Sequence, residues 1–261
     1  ILIVFLALSS AAVHAARVKD LCEVQGVRGN ALKGIGLVVG LAGTGDKAAA
    51  AIRAQERVLT RLTIEVGSAA ELASSNVAVV YVTATLPPFA KEGTRIDISV
   101  HSAYDAKSLQ GGTLMETLLY GADDQVYAVA QGPLSIGGFE ADGGGGNTVR
   151  TNHVTSGRVP MGAYVEHEVP STITDGQRII LLLKRPDFSA ASSIVQAVNT
   201  KYGDSASSAF GAGAVSITIP QGDRADLVGF IAGLEGLEIE LADGPARVVI
   251  NERTGTIVVG G

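Results

Sequence analysis

Large aromatic and sulfur-containing residues are scarce in this sequence. Tryptophan is absent, cysteine occurs once, and aromatic residues make up only 5% of the chain. Hydrophobic residues still reach 46%, so the core has to be built from small aliphatic side chains, and the 33 glycines indicate many turns and close backbone approaches. A chain of 261 residues can bury one large core or two smaller ones.

The single cysteine, Cys22, cannot form a disulfide within this chain. Two interpretations stay open: it is a small buried apolar residue, or its partner lies beyond the end of this sequence. A catalytic thiol is disfavoured, because the neighbouring sequence offers no activating group.

Histidine is also rare, and after the N-terminal segment only His101, His153 and His167 are present. No two of them have the spacing of a helical zinc pair, and Glu166 and Glu168 would point to the opposite face of a strand from His167. We therefore expect neither a metal ion nor a cofactor.

Catalytic serine motifs are missing as well. No G-x-S-x-G segment occurs, and the nearest candidate nucleophile, Ser135, lies in a predicted strand. Paired carboxylates could still converge in space, but we expect a binding or structural protein and not an enzyme.

An excess of positive charge is absent too, since the net charge is −6. Nucleic acid is therefore excluded as an expected partner. Residues 17–33 are nevertheless locally basic, with Arg17, Lys19 and Arg28 among the cations. This segment is either a solvated face or an interaction arm.

The N-terminal residues predict export. Residues 1–8 are apolar and residues 9–15 are mostly small, which is typical of the hydrophobic region and cleavage site of a signal peptide. Because an initiator Met and a basic start are missing, we expect residues 1–15 to be an incomplete signal peptide. A membrane anchor is the rival interpretation, but the run is shorter than the roughly 20 residues needed to span a bilayer.

A glycine-rich segment covers residues 34–46. It resembles phosphate-binding loops, but the glycine spacing does not fit the dinucleotide motif, and Asp46 stands where a P-loop has lysine. We interpret it as a short buried strand over 37–41 and a tight turn over 43–46, with Asp46 as N-cap of the next helix. The residues assigned to this structural turn are Gly34, Gly36, Gly40, Gly43, Gly45 and Asp46.

Hydrophobic periodicity predicts an α+β fold with a strand-rich first half, one amphipathic helix and a compact β-α-β-α-β module. The helices are expected at 47–66, 188–202 (N-cap Asp187) and 224–234. The strands are expected at 77–86, 95–102, 125–131, 134–136, 163–169, 178–184, 214–219, 237–241, 246–250 and 256–259. The division expected is a glycine-rich α+β region over 16–142, a linker and extended segment over 143–177, and the module over 178–261.

Several segments resemble, in order, motifs of the bacterial flagellar P-ring protein family. The most extensive is the glycine-rich segment 34–46. The others are residues 17–21, 24–28, 76–80, 83–89, 106–114, 126–132, 185–189 and 248–257. The resemblance covers essentially the whole chain after the signal peptide. Family members continue further, so we expect this sequence to end before theirs, and residues 73–75 lack a basic residue that relatives can carry.

The resemblance implies a structural subunit of a periplasmic ring in the flagellar basal body, which acts with the L-ring as a bushing for the rod. The partners implied are copies of itself, the L-ring protein, the distal rod protein, peptidoglycan and a periplasmic assembly chaperone. The alternative is a periplasmic peptidoglycan-binding or peptidoglycan-hydrolysing protein. Candidate contacts to the rod or cell wall are Lys107, which lies in a glycine-flanked loop, and Arg17, Lys19 and Arg28; a solvated surface role is open for each.

Overall fold

The computed structural model describes residues 15–64, 75–136, 154–240, 247–251 and 256–260. The predicted signal peptide, apart from Ala15, and the glycine run at 143–146 lie outside these residues. The chain forms two compact units: unit 1 comprises Ile1–Val27 and Thr172–Gly261, and unit 2 comprises Arg28–Ser171.

The elements alternate between strands and a few helices. The strands are β1 (Ala15–Arg17), β2 (Cys22–Val24), β3 (Asn30–Val39), β4 (Ala78–Leu86), β5 (Arg95–Ser102), β6 (Thr113–Tyr120), β7 (Val126–Pro133), β8 (Ser156–Val165), β9 (Arg178–Leu183), β10 (Ser207–Ala209), β11 (Ala214–Thr218), β12 (Glu238–Glu240), β13 (Arg247–Asn251) and β14 (Thr256–Gly260). The helices are α1 (Val18–Leu21), α2 (Ala49–Arg61), α3 (Phe188–Tyr202) and α4 (Leu227–Glu235), with a 3-10 turn at Gln221–Asp223. This mixture confirms the predicted α+β class.

Unit 2 is a closed antiparallel barrel with the strand order β3-β4-β5-β8-β7-β6. Its strands alternate residues that point into the core with residues that point outward. In β4, Val80, Val82 and Ala84 are buried in the core, whereas Tyr81 and Thr83 between them are not. The interior is filled by small aliphatic side chains, as the composition required. Strand β3 pairs with β4 without interruption and with β6 across a register shift, which completes the barrel.

Helix α2 packs against β3 and β4 through Ala51 and Gln55, which are fully buried. It begins at Ala49 and ends at Arg61, so it is shorter than the predicted helix over 47–66. The N-cap position is Ala48, whose side chain has no hydrogen-bonding group. The prediction that Asp46 caps this helix is therefore wrong.

Unit 1 contains a four-stranded sheet with the order β10-β11-β9-β2 and a core of aliphatic side chains from the sheet and from α3. The carboxylate of Asp187 accepts hydrogen bonds from the N–H groups of Ser189 and Ala190 at 2.7 and 3.0 Å, which confirms the predicted cap of α3. Separate two-stranded pairs are formed by β1 with β12 and by β13 with β14.

The two compact units do not have the bounds expected from the composition of the sequence. Strand β8, which lies in the predicted linker and extended segment over 143–177, is part of the barrel. Strands β1 and β2 pair with β12 and β9 in unit 1. The predicted strand over 163–169 is wrong in its bounds, because β8 ends at Val165. Residues 134–136 form no regular strand, and Ser135 makes a single bridge to Arg158.

Among the described residues, no helix is long and apolar enough to cross a membrane.

Candidate interaction surfaces

The glycine-rich segment is not a single turn. Gly34 and Gly36 lie inside β3, and a Cβ on Gly36 would overlap Thr117 Oγ1 of the neighbouring β6. These two positions therefore permit close packing of adjacent strands, which corrects their assignment to the turn. Gly40 and Gly43 have positive φ values of 80° and 74° and form the reversal that follows β3.

The end of this segment is held against the residues that precede β4. The N–H of Gly45 donates to Ser75 O at 2.7 Å, and the N–H of Asp46 donates to Val77 O at 2.9 Å. The Asp46 carboxylate is fully buried and accepts a hydrogen bond from the N–H of Val79 at 2.7 Å. Burial raises the pKa of this carboxyl above its usual range, because the charged form loses its solvation.

The loop that carries Lys107 is joined to the same segment. Thr44 O accepts from the N–H of Lys107 at 2.7 Å, and the Thr44 hydroxyl donates to Ser108 O at 2.8 Å. The Asp105 carboxylate accepts hydrogen bonds from the N–H groups of Lys47 and Ala48 at 3.1 to 3.3 Å. We call residues 40–48 with 105–108 the loop platform.

The electrostatics of the loop platform follow from these contacts. Hydrogen bonds from the Ala48 N–H, and then from the Lys47 N–H, lower the pKa of Asp105 below its usual range. Lys107 is exposed, and its side chain forms no ion pair with another described residue. The platform thus presents two exposed cations, Lys47 and Lys107, on a hydrogen-bonded base.

The other predicted basic residues do not all belong to unit 2. Arg28 is exposed in unit 2, whereas Arg17 and Lys19 are exposed in unit 1. The backbone carbonyl of Lys19 accepts a hydrogen bond from the Lys184 ammonium at 2.9 Å, and Arg17 lies opposite Glu238 in the register of β1 and β12. The locally basic segment 17–33 is therefore divided between the two units.

A feature that the sequence interpretation missed lies on the outer face of the barrel. Register places Lys33 of β3 opposite Thr83 of β4, and Thr83 opposite Ser99 of β5. Ser99 in turn lies opposite Arg158 of β8. These four residues form one row across four strands, which we call the cation–hydroxyl row. Alternation along each strand could have indicated the outward positions, but only strand register brings them together.

The cation–hydroxyl row lies in a groove of about 870 Å³. The adjacent row contains Ile35 and Tyr81, which are 56% and 41% exposed, so an apolar and aromatic strip borders the polar one. Further along the groove, Met161 is held at a φ of 52° by a 2.8 Å hydrogen bond from its N–H to Asp97 Oδ1. The groove therefore offers both apolar and charged contacts to a ligand.

A third cation lines this groove. The Arg95 guanidinium stacks over the Tyr164 ring at 4.4 Å from the centroid, and Arg95 is also hydrogen-bonded to the Tyr164 hydroxyl. Such stacking holds the guanidinium in place while leaving part of it available to a ligand.

Groups with chemical reactivity are scattered among the described residues. Cys22 is buried, and burial raises the pKa of its thiol to about 11. No three His, Cys, Asp or Glu side chains come together as metal ligands in the part of the chain that the structure describes. Ser135 exchanges backbone hydrogen bonds with Arg158, which places it at the barrel wall.

The geometry defines a two-unit α+β protein that has a closed barrel in one unit, a sheet-and-helix module in the other, and polar surfaces suited to binding. Residues 17–261 match the family model described as flagellar P-ring protein. Three relatives with the name flagellar P-ring protein are similar over all of this chain. Those of Geobacter sulfurreducens, Aliivibrio fischeri and Alteromonas mediterranea are 47%, 43% and 44% identical to it, and it covers 70%, 69% and 72% of their lengths.

The chain therefore belongs to the flagellar P-ring protein family. Family membership supports a structural role in the P-ring and a location in the flagellar basal body.

Proposed function

We propose that this protein is a repeating subunit of the P-ring, assembling with copies of itself around the rod in the periplasm. With the L-ring, the assembled ring acts as a bushing in which the rod turns. The observation that carries the proposal is the family match over residues 17–261, which includes both compact units. The partners proposed are the L-ring protein, the distal rod protein, peptidoglycan and a periplasmic assembly chaperone.

A bushing has to bind its neighbours tightly and its axle loosely. Copies in a closed ring meet head to tail, so two different surfaces of each subunit form the contact. A rotating rod, in contrast, is best served by a surface that lacks deep apolar pockets, because buried anchors dominate tight binding.

Lys107 of the loop platform is the residue proposed to face the rod. Its backbone is fixed by the Thr44 carbonyl, whereas its side chain is exposed. A solvated charge on a fixed base can contribute a weak attraction without holding the partner in one position. Arg17, Lys19 and Arg28 are proposed as secondary contacts to the rod or the cell wall.

The test is electron microscopy of basal bodies from cells in which the gene for the complete protein has been deleted. We expect basal bodies without a P-ring, and rings restored when the wild-type gene is returned. A P-ring that persists in the deletion strain would overturn the proposed function.

The role of Lys107 is tested in the same strain with Lys107→Glu. We expect fewer rings and reduced swimming. Arg57→Glu is the matched control, because Arg57 is an exposed cation of the same unit on α2. Equal loss with both variants would show a general effect of charge and would contradict a specific role for Lys107.

A further inference from the structure

The outer face of the barrel carries two cations at the ends of a row of hydroxyl groups. Lys33 and Arg158 are separated by Thr83 and Ser99, each directly opposite the next. Three interstrand spacings of about 4.8 Å place the two ends of the row about 14 Å apart. A ligand that contacts all four side chains therefore has to be extended, with polar groups along its length.

These side chains have no partner of their own among the described residues. Lys33 and Arg158 form no ion pair there, and Thr83 and Ser99 take part in no side-chain hydrogen bond with a described residue. Arg95 adds a third cation to the groove. Of the described residues that line it, Asp97 is the one with a carboxylate, and that carboxylate accepts a hydrogen bond from the Met161 N–H. The charge of the groove is thus complementary to an anion.

The hydroxyl groups of the cation–hydroxyl row and the exposed Tyr81 beside it indicate which kind of anion fits the groove. Thr83 and Ser99 can each donate and accept hydrogen bonds, as the hydroxyl and amide groups of a sugar require. Tyr81 lines the same groove and is exposed beside the row, where its ring offers a flat apolar surface to a sugar ring. Two cations separated by two hydroxyl groups, beside an aromatic ring, fit a sugar polymer better than a compact ion.

We propose that this groove binds an acidic glycan of the bacterial cell-wall type, a strand of sugars whose attached peptides carry carboxylates. Lys33 and Arg158 pair with carboxylates, Thr83 and Ser99 hydrogen-bond to sugar hydroxyl or amide groups, and Tyr81 packs against a ring. The inference rests on the proposed function, because it makes the groove the place where a ring subunit meets peptidoglycan. It assigns that contact to the barrel wall and not to Lys107 of the loop platform.

The test uses the complete protein and purified cell-wall sacculi in a sedimentation assay. We expect the wild type to sediment with the sacculi and binding to weaken as salt is raised, because exposed charges are screened. The double variant Lys33→Gln/Arg158→Gln should bind about tenfold more weakly, since it loses two charge-assisted contacts. Sacculi whose carboxylates have been converted to amides should lose the same binding.

The matched control is Arg53→Gln/Arg57→Gln, which removes two exposed cations from α2 of the same unit. We expect this control to bind sacculi as the wild type does. An equal loss in both double variants would mean unspecific charge attraction and would overturn the assignment, as would a wild type that does not bind.

A third variant, Thr83→Val/Ser99→Ala, removes the hydroxyl groups without changing the charge. It should weaken sacculus binding while the circular dichroism spectrum and unfolding midpoint show that the barrel is intact. Ring assembly is scored separately by electron microscopy: a wild type that forms rings but does not bind sacculi would overturn this inference and leave the proposed function standing. If instead the groove variants prevent rings in the absence of any cell wall, the groove contacts a second copy and the inference is wrong.

Discussion

The carboxylate of Asp105 accepts hydrogen bonds from the N–H of Ala48, the residue at the N-cap position of α2. The cap of this helix therefore comes from a loop that follows β5, and not from the residues before the helix. A carboxylate at a helix N-terminus satisfies free N–H groups and interacts favourably with the helix dipole. The contact ties α2 to the loop that carries Lys107.

We predict that Asp105→Ala lowers the urea midpoint of unfolding and loosens the loop platform, because the N–H groups of Lys47 and Ala48 lose their acceptor. Asp105→Asn keeps one acceptor oxygen and should fall between the alanine variant and the wild type. Faster amide hydrogen exchange at the start of α2 is the second readout. Wild-type exchange in the alanine variant would contradict the capping role.

Gly45 and Gly40 should respond differently to alanine, because they are glycines for different reasons. A Cβ on Gly45 would lie 2.7 Å from Ser75 O and would overlap Val77 O, and both are backbone atoms. We predict that Gly45→Ala costs up to about 3 kcal/mol of unfolding free energy, since the backbone just before β4 has to shift.

At Gly40 a Cβ would meet open space, but its φ is 80°. Gly40→Ala should therefore cost about 1 kcal/mol, through backbone strain alone. Both values are measured by urea denaturation followed by circular dichroism. A larger loss at Gly40 than at Gly45 would contradict this ranking.

Stability should depend on pH through two opposite effects of carboxyl groups. The pKa of Asp46 is raised from 3.8 by burial, so the folded protein binds this proton more tightly than the unfolded chain does. On acidification from neutral pH, stability should therefore rise as pH falls through the raised value toward 3.8. Asp46→Asn should remove this rise, measured as the urea midpoint at a series of pH values.

The opposite effect comes from Asp105, Asp123 and Asp175, whose pKa values are lowered from 3.8 mainly by hydrogen bonds. Their contribution is fully present above 3.8 and is lost as pH falls through the lowered values. Asp105→Asn should reduce the loss of stability below pH 3.8. It should leave unchanged the rise in stability that Asp46 causes above pH 3.8. A steady fall in stability from neutral pH in the wild type would contradict the assignment to Asp46.

Cys22 should be unreactive in the folded protein. Its thiol is buried, and the raised pKa of about 11 leaves almost no thiolate at pH 8. We predict slow reaction with an aromatic disulfide reagent at pH 8 and stoichiometric reaction in 8 M urea. The positive charge of Lys184 lowers the pKa of Cys22 and so opposes the effect of burial. Lys184→Met should therefore slow the reaction of the thiol further. Rapid labelling of the folded wild type would show that the thiol is accessible.

The sequence predicted local elements well where a single pattern determined them. The predicted strand over 95–102 and the predicted helix over 188–202 have the observed bounds, and Asp187 caps that helix as expected. Both depend on neighbouring residues: alternation along one strand, and a carboxylate two and three residues before the N–H groups that it accepts from.

Interactions between distant parts of the chain were not predictable from such patterns. Sequence proximity favoured Asp46 as the cap of α2, because it lies just before the helix. The structure instead has Asp105 accept the hydrogen bond from the Ala48 N–H, and Asp46 accepts from Val79. Closure of the barrel depends on β3 meeting β6, and the cation–hydroxyl row depends on the register of four strands. Pairing partners and register arise from the packing of the whole barrel, which a single sequence does not display.

Closure of the barrel also limits how copies of unit 2 can join. Each of its strands has a hydrogen-bonded neighbour on both sides, so in the described part of the barrel no edge strand is free to extend into another chain. Contacts between unit 2 and another chain are therefore made by side chains, and single substitutions can strengthen or weaken them. The sheet of unit 1 has the edge strands β10 and β2, but the Ser207 N–H of β10 donates to Asn199 Oδ1 at 2.8 Å and the Cys22 N–H of β2 donates to Val18 O. These backbone groups are therefore satisfied within the chain and are not available to pair with a strand from another copy.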